Sequence, residues 1–191
     1  MPVLARLHVS AFPGFFLSTL GEPFLVQMYR GFLTDPSAVC VVARDEGGDV
    51  IGAVVGTVQP AGFFSRLLRR RWPGFVLASI GAVIRNPAAA PRLLAAVRYR
   101  GGPRAGDDGA LLSSICVDRA AQGGGVGREL IAAWERAVSD LGVDTASLTT
   151  DADDNFAVNR FYQSRGWELA STYLTNGGRS MNLYKKKLGG H

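Results

Sequence analysis

The 191-residue sequence predicts one α/β domain of the α+β type, spanning residues 1–191. An apolar run at 111–117 leads into a glycine-rich turn and then into apolar residues at helical spacing, which Gly142 ends. Two valine-rich runs, 39–44 and 50–58, flank a short polar turn and indicate a β-hairpin. Apolar residues make up 47% of the chain and charged residues 19%, which is typical of a folded globular protein of this length.

Hydrophobic spacing and turn residues predict the remaining elements along the chain. Alternating apolar residues predict a first strand at 2–9. Further strands are predicted at 144–150, 167–174 and 180–186. The predicted helices cover 15–20, 23–32, 63–71, 87–100, 126–141 and a segment that begins at the aspartates 151–154 and ends at Gly166.

Residues 61–106 differ in composition from the rest of the chain. They contain nine arginines and no acidic residue, so with a net charge of +5 the other residues sum to about −4 (5 − 9). We predict a basic helical insertion between the third and fourth strands, with 75–84 as an apolar connector or a third helix. In 63–71 the apolar residues share one side, which is expected of a helix on a membrane surface or of one packed on the domain beside an anionic substrate.

The cysteines and the N-terminus indicate the compartment. Cys40 and Cys116 lie in apolar strand-like runs, which favours buried free thiols in a reducing compartment over a disulfide. No apolar run reaches the roughly 18 residues of a membrane-spanning helix. Pro13 and Gly14 interrupt an N-terminus that does not resemble a signal peptide. We expect a cytoplasmic protein, with peripheral contact to an anionic inner membrane face through 61–106 and no binding of nucleic acid.

The glycine-rich turn, residues 122–128, has the composition of a phosphate-binding loop. Glycines allow the backbone to approach a phosphate closely, and the N–H groups at the start of a helix attract anions. A nucleotide P-loop would end in Gly-Lys-Ser/Thr, whereas Arg128 and Glu129 follow Gly127 here. The spacing also lacks the third glycine of a dinucleotide fingerprint.

What remains is Gln-x-x-Gly-x-Gly between a strand and a helix, which resembles the pyrophosphate loop of the GNAT superfamily of acetyl-CoA-dependent N-acetyltransferases. A second motif agrees: Asn155, then Tyr162, then Gly166-Trp167 is similar to the Asn…Tyr-x-x-x-Gly-aromatic pattern of these enzymes. The resemblance covers 110–187 closely and 1–60 loosely. It implies a mixed, mostly antiparallel central sheet flanked by helices.

The resemblance also implies a site. Acetyl-CoA would be the co-substrate, with no metal. The strand before the loop would splay from its neighbour, and the pantetheine arm would lie in the gap. The residues that would contact acetyl-CoA are Ile115, Cys116, Val117, Gln122, Gly123, Gly125, Val126, Gly127, Arg128 and Asn155. Tyr162 would share its proton with the departing sulfur, because thiol and phenol pKa values differ by only about two units.

The general base is open, because residues 111–117 contain no carboxylate. His8, Glu22, Asp151 and a chain of waters are the alternatives. Cys116 could in principle form a covalent acetyl-enzyme, but its strand position favours a packed thiol.

The acceptor is expected to be a small-molecule primary amine. The Asn159–Tyr162 run and the 178–184 segment resemble the branch of the superfamily associated with bacterial surface-polysaccharide synthesis, which implies an amino sugar on a nucleotide or lipid diphosphate. The alternatives are a protein N-terminal or lysine acetyltransferase and a catalytically silent acetyl-CoA-binding module. The oligomeric state is open.

Overall fold

The computed structural model describes residues 1–13, 15–85, 109–175 and 177–189. Its helices are α1 (Pro2–Ala11), α2 (Phe16–Thr19), α3 (Glu22–Thr34), α4 (Phe63–Arg85), α5 (Val126–Asp140) and α6 (Phe156–Gln163), with a 3₁₀ turn at Arg119–Ala121. Its strands are β1 (Ala38–Arg44), β2 (Val50–Thr57), β3 (Ala110–Val117), β4 (Thr145–Asp151), β5 (Glu168–Leu174) and β6 (Ser180–Lys187).

The six strands form one sheet in the order β1-β2-β3-β4-β6-β5. Neighbouring strands are antiparallel, with the exception of the parallel pair β3 and β4. The predicted hairpin is present, since β1 pairs with β2 from Ala38↔Thr57 to Arg44↔Val50. The predicted fold class, a mixed and mostly antiparallel sheet flanked by helices, is confirmed.

Helices cover both faces of this sheet, because β2 and β3 carry apolar side chains on both sides. On β2, Ala53 and Val55 belong to the core formed with α1, α3 and α4, whereas Val54 belongs to the core under α5. Trp134 of α5 is fully buried, and its indole N–H donates to the carbonyl of Val39 at 3.2 Å. This packing holds α5 against the strands next to the loop that precedes it.

The strand predicted at 2–9 is wrong, because these residues form helix α1. The buried side chains of α1 are Leu4, Ala5, Leu7 and His8, which lie on one side of a helix. The alternating pattern and the helical face share Ala5 and Leu7, so the sequence alone did not separate them, and packing against α3 and the sheet decides. The insertion consequently lies between β2 and β3, not between a third and a fourth strand.

Helix α4 joins two segments that the sequence predicted separately. The helix bends at Arg71, whose φ of −121° and ψ of 18° are not helical. Pro73 follows, and a proline inside a helix removes a backbone donor and favours such a kink. The helix predicted at 87–100 lies outside the described residues.

The first half of α4 packs inward. Phe63 and Leu67 are buried. The carboxylate of Asp35, at the end of α3, lies 3.5 Å from Nε of Arg66 and 3.7 Å from Nη1 of Arg70. Burial acts to raise the pKa of Asp35, but hydrogen bonds from Ser37 and the charge of Arg66 outweigh burial and leave the pKa lowered. The apolar side of 63–71 therefore faces the domain.

Candidate active site

The sheet opens between the parallel strands β3 and β4. Their pairing in the described chain is confined to Ala110↔Ala146 and Leu111↔Ser147. Beyond these positions β3 stays paired with β2 as far as Val117, and β4 stays paired with β6 as far as Asp151. The carboxyl-terminal halves of β3 and β4 therefore diverge and leave a gap in the sheet.

The backbone of β3 turns hydrogen-bonding groups into this gap. The N–H of Asp118 donates to the carbonyl of Ile51 at 2.8 Å, and β2 and β3 keep one register from Val117 to Ser114. Because peptide groups alternate in direction along an antiparallel strand, those of Val117 and Ile115 point away from β2 and toward the gap. The carbonyl of Val117 accepts a hydrogen bond from Gln122 Nε2 at 3.2 Å. The N–H groups of Ile115 and Val117 are thus directed into the gap.

The glycine loop follows directly at the open end of the gap. Asp118 caps the short 3₁₀ turn by accepting from Ala120 N–H at 2.9 Å. Gly123 and Gly125 have φ values of 83° and 89°, in the left-handed region that favours glycine. The first hydrogen bond of α5 runs from Glu129 N–H to Gly125 carbonyl at 3.1 Å. The N–H groups of residues 126–128 therefore precede the hydrogen bonding of the helix, as an anion site requires.

Tyr162 on α6 packs among aromatic rings. It is 6% exposed, and its ring centroid lies 5.3 Å from that of Phe161, 6.1 Å from Trp167 and 6.0 Å from Tyr184. Burial raises the pKa of Tyr162 well above its usual range. The phenol therefore stays protonated at neutral pH, which a proton donor needs, but the packing alone also explains a buried ring.

Phe161 borders the loop, and sequence reasoning missed it. A Cβ placed on Gly127 would lie 3.7 Å from the Phe161 ring and 3.7 Å from Cγ2 of Val117. The ring thus lies close to the first turn of α5 and to the end of β3. Arg165 lies over the ring, with its guanidinium carbon 5.7 Å from the centroid. The sequence does contain an indication of this role. Phe161 precedes Tyr162 on the same helix, and only one of two adjacent side chains can face the core, so the other must lie elsewhere on the helix surface.

Asn155 is held at the end of β4. Its side-chain N–H₂ donates to Thr150 Oγ1 at 2.8 Å and to the carbonyl of Asp151 at 3.1 Å. The amide donors of Asn155 are therefore used within the chain, next to the gap.

Asn159, one turn further along α6, forms more hydrogen bonds to other parts of the chain than Asn155 does. The sequence did not predict these bonds. The Nδ2 of Asn159 donates to the carbonyls of Asp151 and Asn155 at 3.0 and 2.9 Å. Its Oδ1 accepts from Asn182 Nδ2 and from the hydroxyl of Tyr184, both at 3.0 Å. These partners come from three separate elements, so the sequence offered only the amide itself as a signal.

Each candidate general base has a partner within the chain. Asp151 forms a two-pronged ion pair with Arg179, in which Nη2 lies 2.6 Å from Oδ1 and 2.7 Å from Oδ2. Glu22 lies 3.7 Å from Arg6. His8 is 4% exposed, and burial lowers its pKa to about 4.

Buried polar groups form a chain on the side of β3 that faces α1 and α3. His8 Nδ1 lies 2.9 Å from the hydroxyl of Tyr29, which lies 3.9 Å from Cys116 Sγ. The Cys116 thiol also contacts the carbonyl of Ala53 at 3.7 Å. Burial raises the pKa of Cys116, and separately that of Cys40, to about 11. Both thiols are free, as predicted, and both are protonated at neutral pH, but Cys116 is buried whereas Cys40 is only half-buried.

Two features are absent from the described residues. These residues contain no cluster of three or more His, Cys, Asp or Glu side chains arranged for a metal ion. In the same part of the chain no helix has the length and hydropathy needed to cross a bilayer.

Comparison with known proteins agrees with this geometry. The model of the acetyltransferase (GNAT) family matches residues 2–167. The chain belongs to the GNAT acetyltransferase family. The expectation of an acetyl-CoA-dependent acetyltransferase is thereby confirmed. No curated protein sequence matches the chain significantly.

Solved structures share the fold at low sequence identity. A protein described as a GNAT-family acetyltransferase from Desulfovibrio desulfuricans superimposes with a TM-score of 0.61 at 14% identity, over 98% of this chain and 91% of that one. The ribosomal-protein-S18-alanine N-acetyltransferase from Escherichia coli gives 0.55 at 16% identity, over 98% and 88%. A protein described as a streptothricin acetyltransferase from Bacillus anthracis, in complex with acetyl coenzyme A, gives 0.54 at 14% identity, over 83% and 67%. At these identities the likeness concerns the fold alone.

Proposed function

We propose that this GNAT protein transfers the acetyl group of acetyl-CoA directly to a primary amine. The observation that carries the proposal is the gap between β3 and β4, which ends at a glycine loop with backbone N–H groups ahead of the first hydrogen bond of α5. Acetyl-CoA has a matching layout, with amides along a narrow arm and a pyrophosphate at its end. It supplies the activated thioester from which an amine takes the acetyl group.

The loop is the part of the chain that would hold the pyrophosphate. Backbone N–H groups of Gly123, Gly125, Val126, Gly127 and Arg128 donate to its oxygens, with the helix dipole as a further attraction. The Arg128 guanidinium adds positive charge at the loop, next to Gly125. Gln122 supports this arrangement through its hydrogen bond to Val117, because that bond ties the loop to the strand.

Strand β3 supplies the contacts along the gap. The N–H groups of Ile115 and Val117 pair with amides of the pantetheine arm or meet the developing oxyanion, a fixed donor of the kind that stabilises such a charge strongly. Cys116 lies between them, and its N–H and carbonyl point to β2. It therefore offers the ligand no backbone hydrogen bond and only connects Ile115 to Val117. Asn155 would contact the pantetheine arm through its side-chain oxygen, Oδ1. Its Nδ2 is not available, because both of its hydrogens are donated within the chain.

Tyr162 is the residue that we propose as the proton donor to the departing sulfur. Its raised pKa keeps the phenol protonated at neutral pH but also makes it a weaker acid, so the proposed role is a hydrogen bond from the hydroxyl that stabilises the departing sulfur and along which the proton moves. Cys116 supports direct transfer rather than an acetyl-enzyme: its thiol lies in the core formed with α1 and α3, and its raised pKa leaves little thiolate.

Water is the base that we propose. The candidate side chains are buried or ion-paired, so the amine would lose its proton to solvent before attack. The dependence of kcat/KM on pH should then follow the pKa of whichever amine is supplied. A profile with one fixed midpoint for amines of different pKa would contradict this and indicate a base on the protein.

The acceptor class to test first is an amino sugar on a nucleotide or lipid diphosphate. Support comes from the resemblance of the Asn159–Tyr162 run and the 178–184 segment to the branch of the superfamily associated with surface-polysaccharide synthesis. This support is weak, because the hydroxyl of Tyr184 donates to Asn159 within the chain and that bond alone explains both residues. We propose a cytoplasmic location, in keeping with the two free thiols.

The test measures acetyl-CoA-dependent release of free thiol over a panel of nucleotide amino sugars, simple amines, polyamines and peptides. Transfer to a small amine is the expected result. Transfer confined to peptides would make the chain a protein acetyltransferase. Calorimetric binding of acetyl-CoA without transfer to any amine would make it a silent binding module.

A further inference from the structure

The second half of helix α4, after the bend at Arg71, presents an apolar side to solvent. Five large apolar side chains on this half are exposed: Trp72, Val76, Leu77, Ile80 and Ile84. At 3.6 residues per turn they occupy one continuous side of the helix, about 140° wide. We name these five side chains the apolar ridge.

The opposite side of the same helix is already packed against the domain. Phe75 is buried, and its ring centroid lies 4.9 Å from that of Phe24 on α3. Ala78, nearly one turn later, is buried as well. The helix is therefore docked through one side, and the ridge lies on the side that this docking leaves outward. A helix that is apolar on both sides belongs in surroundings that bury both.

Basic side chains lie next to the ridge. Arg69 and Arg70 are exposed immediately before the bend, and residues 61–106 contain no acidic side chain. Arg66 and Arg70 both lie within ion-pair distance of Asp35, but the side chain of Arg70 remains 55% exposed and that of Arg66 only 29%. An apolar side bordered by cations only is complementary to a surface that is apolar and anionic at once.

We propose that the apolar ridge docks the protein on the surface of an anionic phospholipid bilayer. The ridge enters the boundary between headgroups and acyl chains, as the apolar side of an interfacial helix does. Arg69 and Arg70 face the lipid phosphates. Trp72 lies at the headgroup level, where its amphipathic ring is favoured. This inference concerns a surface separate from the gap in the sheet and does not rest on the proposed acetyl transfer.

Tryptophan fluorescence gives a direct test, because the three tryptophans differ in exposure. Trp134 and Trp167 are 0% and 2% exposed, whereas Trp72 is 62% exposed. Adding vesicles of phosphatidylglycerol and phosphatidylcholine to the full chain should shift its emission to the blue and carry the protein into the vesicle pellet. Vesicles of phosphatidylcholine alone should do neither. Trp72→Phe should abolish the shift and keep the sedimentation.

Matched leucine variants locate the binding surface. Leu77→Glu should lower the vesicle partition coefficient by about tenfold or more, since it places a charge in the apolar contact. Leu141→Glu changes another exposed leucine, at the end of α5 (61% exposed against 72% for Leu77), and should sediment like the parent protein. Arg69→Glu should weaken binding at low salt.

Three results would overturn the inference. The first is a Leu77→Glu variant that sediments with vesicles like the parent, and the second is equal binding to neutral and anionic vesicles. The third is a parent protein that does not bind vesicles but elutes as a dimer in size-exclusion chromatography, and that Leu77→Glu converts to a monomer. The last result would make the ridge a contact between two copies of the chain.

Discussion

Two strand–helix units meet at the gap in the sheet, and although neither helix has a side-chain cap, the segments that join strand to helix differ. In the first unit β3 leads through the glycine loop into α5, whose N-terminus follows Gly125 and has no side-chain cap. In the second unit β4 leads into α6, and the amides of Asn155 and Asn159 both donate to the carbonyl of Asp151. The carboxylate of Asp151 in turn pairs with Arg179.

If acetyl-CoA binds as proposed, its binding surface is not the part of the gap with the most polar side chains. The second unit is richer in amides and charges, but these groups satisfy one another. The first unit offers backbone N–H groups that precede the helical hydrogen bonds, and a diphosphate there competes with water only. We therefore expect ligand affinity to depend on the first unit and stability on the second. In the proposed mechanism, Tyr162 would be the one residue of the second unit that takes part in the chemistry.

The largest effect is expected from Tyr162→Phe, which keeps the buried ring and removes the proton. The rate constant kcat should fall by about tenfold to a thousandfold, the range for one acid–base group. The affinity for acetyl-CoA should change little, because the hydroxyl is the only group lost. Single-turnover kinetics with a fast amine acceptor, together with calorimetric binding of acetyl-CoA, provide both measurements.

A second buried tyrosine, on the neighbouring strand β6, is the matched control. Tyr184→Phe removes a hydroxyl that donates to Asn159 at 3.0 Å, and its ring lies 6.0 Å from that of Tyr162. It should cost about 1 kcal/mol of stability and leave kcat unchanged. If both variants lose only stability, Tyr162 is a packing residue and the second unit contributes no chemistry.

Gly125→Val tests the first unit and should have the next largest effect. The φ of 89° at Gly125 strains any residue with a side chain, by about 1–2 kcal/mol or more for a branched one. The loop should shift, and the affinity for acetyl-CoA should fall by about tenfold to a hundredfold, since charge-assisted hydrogen bonds to the pyrophosphate weaken together. Isothermal titration calorimetry measures the change, and circular dichroism checks that the variant is folded.

A substitution at the neighbouring Gly124 is the control that distinguishes backbone strain at Gly125 from the effect of adding a side chain to the loop. Gly124 has no left-handed φ, and a Cβ there would lie 3.4 Å from the carbonyl of Ala121, an ordinary contact. Gly124→Ala should therefore bind acetyl-CoA almost as well as the parent protein. Equal losses in the two variants, or unchanged affinity in Gly125→Val, would contradict the assignment of the loop as the pyrophosphate site.

The first unit could be predicted from the sequence because its signals are local. The apolar spacing predicted a helix over 126–141, and α5 spans Val126–Asp140. The glycines that set the loop geometry lie within a few residues of each other and need no distant partner. The hairpin of β1 and β2 was predictable for the same reason, since its strands and turn are contiguous in the chain.

Elements that depend on distant partners could not be predicted in the same way. Segment 2–9 fits both a strand and a helix by pattern, and its contact with α3 decides between them. Asn159 depends on Asn182 and Tyr184, which come next to it only through the register of β4 and β6. The exposure of Leu77 likewise follows from which side of α4 meets α3, which periodicity alone does not specify.

Asn159→Ala should have the smallest effect on function and a clear effect on stability, which makes it the sharpest test of the second unit. The change leaves the hydroxyl of Tyr184 and the amide of Asn182 without their shared acceptor. Both residues are buried, and an unsatisfied buried donor costs about 1–3 kcal/mol. We expect a loss of about 2–3 kcal/mol in the free energy of unfolding, measured in urea, with KM for acetyl-CoA within about twofold of the parent value. Asn159→Asp keeps the acceptor but turns a carboxylate oxygen toward the carbonyls of Asp151 and Asn155, which repel it, so this variant should lose stability as well. An unchanged stability with a large rise in KM would mean that these amides bind the ligand. The assignment of ligand affinity to the first unit and of stability to the second would then be wrong.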